Sequence, residues 1–235
     1  MRTLSQAELL DLWERGHALH PIDRGLLAIH AAFPETQGES VADWPLGQRN
    51  RALAQWRCAS FGARLRGWTA CRQCAQALEF ELDAHAITQT PVATGAQAVE
   101  SGGAAFRLPT SRDLARIAAI DDADEAARRL VEQCWLDEAG TPGAWSDAQV
   151  EAIGEALARA DPLAEIVLDF DCPACGESFQ ESLDLPAFVW AEMEAQARRL
   201  LWEIHTLASA YGWSEAAILA LNASRRARYL EMVRT

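Results

Sequence analysis

The chain has 235 residues, half of them hydrophobic and 23% charged, and a formal net charge of −13. This length and apolar content allow one good core or two small ones without disulfides, and exclude a disordered chain. The negative charge argues against nucleic-acid and anionic-membrane partners, whose affinity rests on Lys and Arg contacts to phosphate.

The N-terminal stretch MRTLSQAELLDLWERG lacks the basic start, apolar centre and small-residue cleavage site of a secretory leader, and nowhere do eighteen apolar residues run without a charge. A cytoplasmic protein with no membrane span is expected. Ser5 and Glu8 have capping-box spacing, and Leu9, Leu12, Trp13 and Leu19 fall roughly on one stripe, so a first helix starts there. A second apolar stretch, RGLLAIHAAF, stops at Pro34 before a polar loop. The segment from Trp44 to Trp68 repeats Leu, Trp and Phe at helical spacing with Gly62 and Gly67 near its end. It is expected to form one helix leading into the first cysteine pair.

After Cys74 the apolar period changes from about 3.6 to 2. Leu78, Phe80 and Leu82 alternate with Glu79, Glu81 and Asp83, as in a strand buried on one face. PVATGAQAVESGGAA reads as a flexible or extended connection. Thr110 with Asp113 caps a helix through SRDLARIAAI, Asp124 begins another, and Ser146 with Gln149 forms a third capping box before a helix ending at Asp161 and Pro162. Ile166, Leu168 and Phe170 then share one face of a short strand that delivers the chain to Cys172. Beyond Asp184 the remainder reads as helical. Phe188, Ala191, Ala195, Leu200, Ile204, Leu207 and Tyr211 mark an apolar stripe, Gly212 is the stop, Ser214 caps the next turn, and Asn222 or Ser224 starts the last helix.

Six cysteines include two CxxC pairs, Cys71 with Cys74 and Cys172 with Cys175. Setting Cys71 on Cys172 also sets Leu78 on Phe179, Leu82 on Leu183 and Asp83 on Asp184, so each copy reads as half of one site. Two CxxC turns supply the four thiolates that a tetrahedral zinc takes. In the second copy Pro173 stiffens the turn and Gly176 admits a positive φ, whereas the first copy has Arg72 and Ala75 in those places. The pairs are about a hundred residues apart, a closure that removes roughly 4.7 kcal/mol of unfolded-state freedom. Zinc–thiolate binding in small peptides contributes roughly 10–16 kcal/mol, enough to offset this closure. The expectation is one structural Zn2+ per chain held by Cys71, Cys74, Cys172 and Cys175. Two independent redox pairs, a ligand set drawing on Cys58 or Cys134, and a site without metal remain open alternatives.

Other features have plain readings. His17 and His20 stand three apart on a helix with no third ligand near, which suits surface histidines. His205 suits a partly buried imidazole. Most of the nine tryptophans fall on helical stripes, and Arg225, Arg226 and Arg228 form a solvated face or a dock for an acidic partner. Neither HExxH, GxSxG nor a phosphate-cradling glycine loop occurs, and nothing in the sequence argues for an enzyme.

Several stretches taken together carry a resemblance: WPLGQRNRALAQWRCASFG, FRLPTSRDLARIA, CPACGESFQESLDLPAFVWAEM and, above all, LLWEIHTLASAYGWSEAAILAL followed by SRRARYL. They resemble the T-even-like phage baseplate hub assembly proteins of contractile tails and related contractile injection systems, from about Trp44 onward and most closely from Asp161 to Val233. The resemblance implies a non-enzymatic assembly factor, or chaperone, or a minor component, whose partners are baseplate hub or spike proteins. It places Tyr211, Gly212, Trp213, Arg225, Arg226 and Tyr229 in the shared motif. A CxxC thiol oxidoreductase and a zinc-ribbon protein–protein adaptor are the alternatives from other classes.

The fold class expected is mainly α with small β ribbons, a helical domain built around a split four-cysteine zinc-ribbon-like site. A single domain, 1–235, would comprise N-terminal helices (1–68), a first zinc knuckle and strand (69–90), a helical insertion (106–161), a second zinc knuckle (162–185) and C-terminal helices (186–235).

Overall fold

The computed structural model describes residues 1–36, 40–92, 98–136 and 145–233. It is mainly helical, with about 59% of the chain in helices and three antiparallel two-stranded ribbons. In chain order the helices are α1 (Gln6–Gly16), α2 (Pro21–Ala32) and α3 (Leu46–Phe61), then α4 (Ala84–Gln89), α5 (Ser111–Ile117), α6 (Ala123–Cys134) and α7 (Asp147–Ala160), and finally α8 (Leu185–Tyr211), α9 (Glu215–Leu219) and α10 (Ala223–Val233). The strands are β1 (Arg64–Ala70) and β2 (Ala77–Asp83), β3 (Ala98–Ser101) and β4 (Ala104–Arg107), and β5 (Val167–Asp171) and β6 (Ser178–Ser182).

Short-range chemistry sets most helix starts. The Ser5 hydroxyl accepts from Glu8 N–H while Glu8 accepts from Ser5 N–H, and the Asp113 carboxylate accepts from both the backbone and the hydroxyl of Thr110. Gln149 accepts from Ser146 N–H. Each closes an orphan donor of the first turn within three residues. The helix expected from Asp124 starts one residue earlier, at Ala123, because Asp122 caps it, its carboxylate accepting from Glu125 N–H. Asn222, rather than Ser224, opens α10 by accepting from Arg225 N–H.

The main core gathers α1, α2 and α3 against α8, α9 and α10, with Leu12, Ile29, Leu53, Trp56, Met193, Leu207 and Ile218 at its centre. Phe106, Leu108, Val131, Cys134, Ile153 and Leu157 form a second cluster between β4, α6 and α7, with Trp135 and Trp145 packed against it. A buried polar seam ties this segment back to α3. Gly47 N–H donates to Asp161 at 2.8 Å, Arg49 donates to the Ser111 hydroxyl, and Asn50 donates to the Leu163 carbonyl at 2.7 Å. Asp161 thus caps α3 from 114 positions away. Residue 47 must be glycine for this, since a Cβ there would overlap the carboxylate.

The element boundaries correct the sequence reading in several places. The segment 44–68 is not one helix: α3 ends at Phe61, Gly62 takes a φ of 89°, and Arg64–Ala70 is a strand, so the region 1–68 is not wholly helical. Leu65 points into the core while Arg66 and Trp68 point out, an alternation that holds only because β2 pairs alongside, Gly67 against Phe80. The region 69–90 contains α4 as well as the knuckle and strand, capped by Asp83. Part of the connection expected over 91–105 is the β3–β4 ribbon turning at Gly102 and Gly103, while 93–97 lie outside the described residues. The insertion 106–161 therefore begins on a strand rather than on a helix.

On α8 the predicted stripe holds for Leu200, Ile204 and Leu207. In the first half the helix buries Val189, Met193 and Ala197 instead, leaving Ala191 and Ala195 exposed and Phe188 half-buried. His205 is exposed, not partly buried. Among the described residues no helix is long and apolar enough to cross a membrane.

Candidate metal centre

Each cysteine pair sits on the turn of a hairpin, and the two turns share one backbone pattern. In the first, Cys71 N–H donates to the Gln76 carbonyl and Ala75 N–H donates to the Cys71 carbonyl; in the second, Cys172 N–H donates to Glu177 and Gly176 N–H donates to Cys172, all at 2.8–2.9 Å. The residue after the second cysteine is left-handed in both, Ala75 at φ 59° and Gly176 at φ 76°. The strand that leads into Cys71 is the part of this construction that sequence periodicity missed. Its signal was RLRGWTA, an alternation directly after Gly62.

The turns meet face to face. Cys71 Sγ lies 3.6 Å from Cys175 Sγ, Cys74 Sγ lies 3.6 Å from Cys172 Sγ, and all four sulfurs fall within 4.8 Å of one another. Four thiolates at a Zn–S distance of about 2.3 Å in a tetrahedron stand about 3.8 Å apart. The observed spacing suits such a shell, so the donor set and its size fit a tetrahedral metal ion. The first cysteine of each pair is buried and the second is open to solvent.

Backbone N–H groups of Cys175 and Ala174 aim at the Cys172 sulfur and bring its thiol down to about 7. The Glu177 N–H acts on Cys175 in the same sense, but the crowding of the three neighbouring thiols outweighs it and pushes Cys175 up to about 12. Among four crowded thiols without a metal, one readily ionises and a neighbour does not. A bound cation removes that conflict by favouring thiolate at every position. The same inward-pointing N–H groups then serve as hydrogen bonds to metal-bound sulfur.

Three further contacts join the half-sites. Arg72, in the first turn, donates to Glu181 at 3.0 Å and to the Gln180 carbonyl at 3.1 Å. Phe80 meets Phe170 edge to face at 5.5 Å, and Phe170 stacks on Phe179 at 5.5 Å. Arg72 therefore takes the place of the turn proline seen at Pro173 and works as a cross-strap. Sequence comparison of the two knuckles marked it only as an irregularity.

Comparison of the chain with family models, curated proteins and solved structures finds no match. Functional assignment thus rests on the site and on the sequence motifs.

The other cysteines and histidines stand apart from this cluster. Cys134 is fully buried in the second hydrophobic cluster, and burial pushes its thiol up to about 12. Cys58 is half-buried on α3, and burial raises it as well. His17 and His20 are exposed and serve the backbone, His17 facing the Glu14 carbonyl and His20 accepting from Ile22 N–H.

The C-terminal motif is structural in its contacts. Tyr211 stacks on Trp213 at 4.8 Å, and Tyr229 meets Trp213 edge-on at 4.9 Å. Gly212 ends α8 with a φ of 67°. Arg226 is not on a solvated face: it is 2% exposed and donates to Glu203 at 2.6 Å, to Gln6 and to the Leu221 carbonyl. Arg225 and Arg228 are exposed.

Proposed function

We propose that Cys71, Cys74, Cys172 and Cys175 hold one structural zinc ion, and that the chain is a non-enzymatic assembly factor for the baseplate hub of a contractile tail or related injection system. The observation that carries the metal is the convergence of four sulfurs, separated by about a hundred residues of chain, into a group 4.8 Å across. Four protein thiolates complete a tetrahedral shell and leave no position for a substrate water, which is the arrangement of a structural rather than a catalytic zinc. The sulfur-only donor set favours zinc over magnesium, calcium or manganese, which take oxygen ligands.

The assembly role rests on the resemblance of the C-terminal motif and its neighbours to the baseplate hub assembly proteins. Physical properties support it. A rigid helical frame with a net charge of −13 stays soluble and is steered toward basic surfaces, as suits a factor that keeps an aggregation-prone partner in solution. Hub and spike proteins are the partners proposed, and a cytoplasmic location goes with that role.

Metal analysis of reduced, freshly purified protein tests the first part. About one zinc per chain is expected, falling to near zero in Cys172→Ser; a metal-free parent protein overturns it. Co-expression with hub and spike components tests the second. Raised solubility of a component together with co-purification is expected, and particles that assemble intact without the gene refute the role.

A further inference from the structure

We infer that the outer face of α10, with Arg225 and Arg228, and the aromatic cluster beside it form a docking site for a short acidic segment of a partner protein. This goes beyond the assembly reading, which names partners but no surface that touches them.

The two arginines stand out by what they lack. The chain contains no lysine and sets 34 acidic residues against 21 arginines, so carboxylates are in excess and an exposed arginine readily finds one. Among the described residues every other exposed arginine is in an ion pair, on helices and ribbons alike. Arg225 and Arg228 are exposed and, among the described residues, in none. Glu203, the carboxylate on which α10 is fastened to α8, is already held by Arg226 and Arg199.

Position sharpens the point. Arg226 and Leu230 turn into the molecule, while Arg225 and Arg228 stand three apart on the other side of the helix, a spacing that makes them neighbours on its surface. Arg225 also lies in the first turn of α10, which holds no acidic residue. That end of a helix dipole is positive and disfavours a cation, so a carboxylate brought from outside relieves the repulsion. The aromatic cluster adjoins this face. Tyr229, one turn beyond Arg225, meets Trp213 at 4.9 Å and Tyr211 at 5.8 Å, and Tyr211 stacks on Trp213 at 4.8 Å. Tyr211 is 39% exposed, and Trp213 and Tyr229 are half-buried. Arginine, tyrosine and tryptophan are the residue types that carry most of the binding energy at protein interfaces, and α8 and α10 hold them here side by side.

Charge selects the occupant. Two unpaired guanidiniums call for carboxylates, each of which can take two parallel N–H donors from one arginine. A nucleic acid is the poorer fit, because a net charge of −13 repels a polyphosphate along its whole length. Salt screens that field beyond about 8 Å, so a segment with a few carboxylates responds chiefly to the two arginines it touches.

The test titrates fluorescein-labelled probes with the purified full chain at near-physiological salt and follows anisotropy. One peptide of about ten residues intersperses glutamate with leucine, a second replaces each glutamate with glutamine, a third replaces each with lysine, and an oligothymidylate of about ten nucleotides is the fourth probe. The glutamate peptide is expected to bind at least about tenfold more tightly than any of the others. Arg225→Gln combined with Arg228→Gln is expected to weaken it about tenfold or more with unchanged circular dichroism, since both side chains are exposed and unpaired among the described residues. Arg159→Gln, at an exposed arginine paired with Glu155 on α7, is expected to keep the parental affinity. Equal binding of the glutamate and glutamine peptides, parental affinity in the double variant, an equal loss in Arg159→Gln, or oligothymidylate binding as tight as that of the glutamate peptide overturns the proposal. No hub or spike protein enters this assay, so its failure leaves the assembly role standing, and failed co-purification leaves the docking site standing.

Discussion

Ala75 and Gly176 occupy the same left-handed position in two turns that perform the same task. A Cβ in that conformation costs roughly 1–2 kcal/mol, a cost that glycine avoids. Gly176→Ala is therefore expected to lower stability by about 1 kcal/mol, and Ala75→Gly to raise it by a smaller amount, because glycine also frees the unfolded chain. Denaturant midpoints of the zinc-loaded proteins check both signs. Asp113 offers a second residue-scale test. Burial works against its ionised form, but the Arg107 guanidinium at 2.6 and 2.8 Å and the Thr110 hydroxyl and N–H outweigh that, holding the carboxyl below the usual aspartate range. A depressed pKa contributes stability above the unfolded value of about 3.9, and that stability is lost as pH falls through the lower folded value. Asp113→Asn should be less stable at neutral pH and show a flatter loss of stability below about pH 4 in an acid titration followed by circular dichroism.

Elements are joined here by polar contacts placed where their ends meet, rather than by apolar packing alone. Asp161 caps α3 from the far end of the insertion, and Asn50 and Arg49 pin neighbouring backbone and hydroxyl groups beside it. At the other end of the molecule Arg226 fastens α10 to α8 through Glu203, with both side chains under a tenth exposed, and reaches α1 through Gln6. Removing Arg226 takes away the buried partner of Glu203 but leaves Arg199 2.9 Å from the carboxylate, so the loss is expected at the low end of the roughly 3–5 kcal/mol of a broken buried pair. Arg226→Met is expected to lose about that much, whereas Arg226→Met with Glu203→Leu should recover most of it. Amide exchange along α10 provides the local readout, since the single change should release that helix before the rest of the core.

At the scale of the whole molecule the proposed zinc site would make the cysteine cluster a staple. The strands entering and leaving it carry Leu65, Phe80, Leu82 and Leu183 into or against the main core, so the staple fixes ribbons that packing already places. If all four sulfurs hold one ion, losing any one of them loses the whole site. Cys71→Ser and Cys172→Ser should each lower the melting temperature by several degrees, and the double variant by no more than the worse single one. Additive losses in that cycle, measured by calorimetry, would mean that the two turns act separately.

Much of this architecture is decided within a few residues of chain and so was legible before any tertiary contact. The capping boxes at Ser5, Thr110 and Ser146 close hydrogen bonds three residues away. The switch to a period of two after Cys74 follows from local alternation, and the matched CxxC turns carry their own geometry. Tertiary structure alone decided the rest. Arg64–Ala70 becomes a strand because β2 lies beside it, Arg226 is buried because Glu203 waits on another helix, and α8 turns Val189 and Met193 inward because the small Ala191 and Ala195 bind a core too weakly to compete. The meeting of the sulfurs belongs to the same class. A turn can orient two thiols by its own hydrogen bonds, but bringing two turns together across about a hundred residues costs chain entropy that only the packed whole can meet.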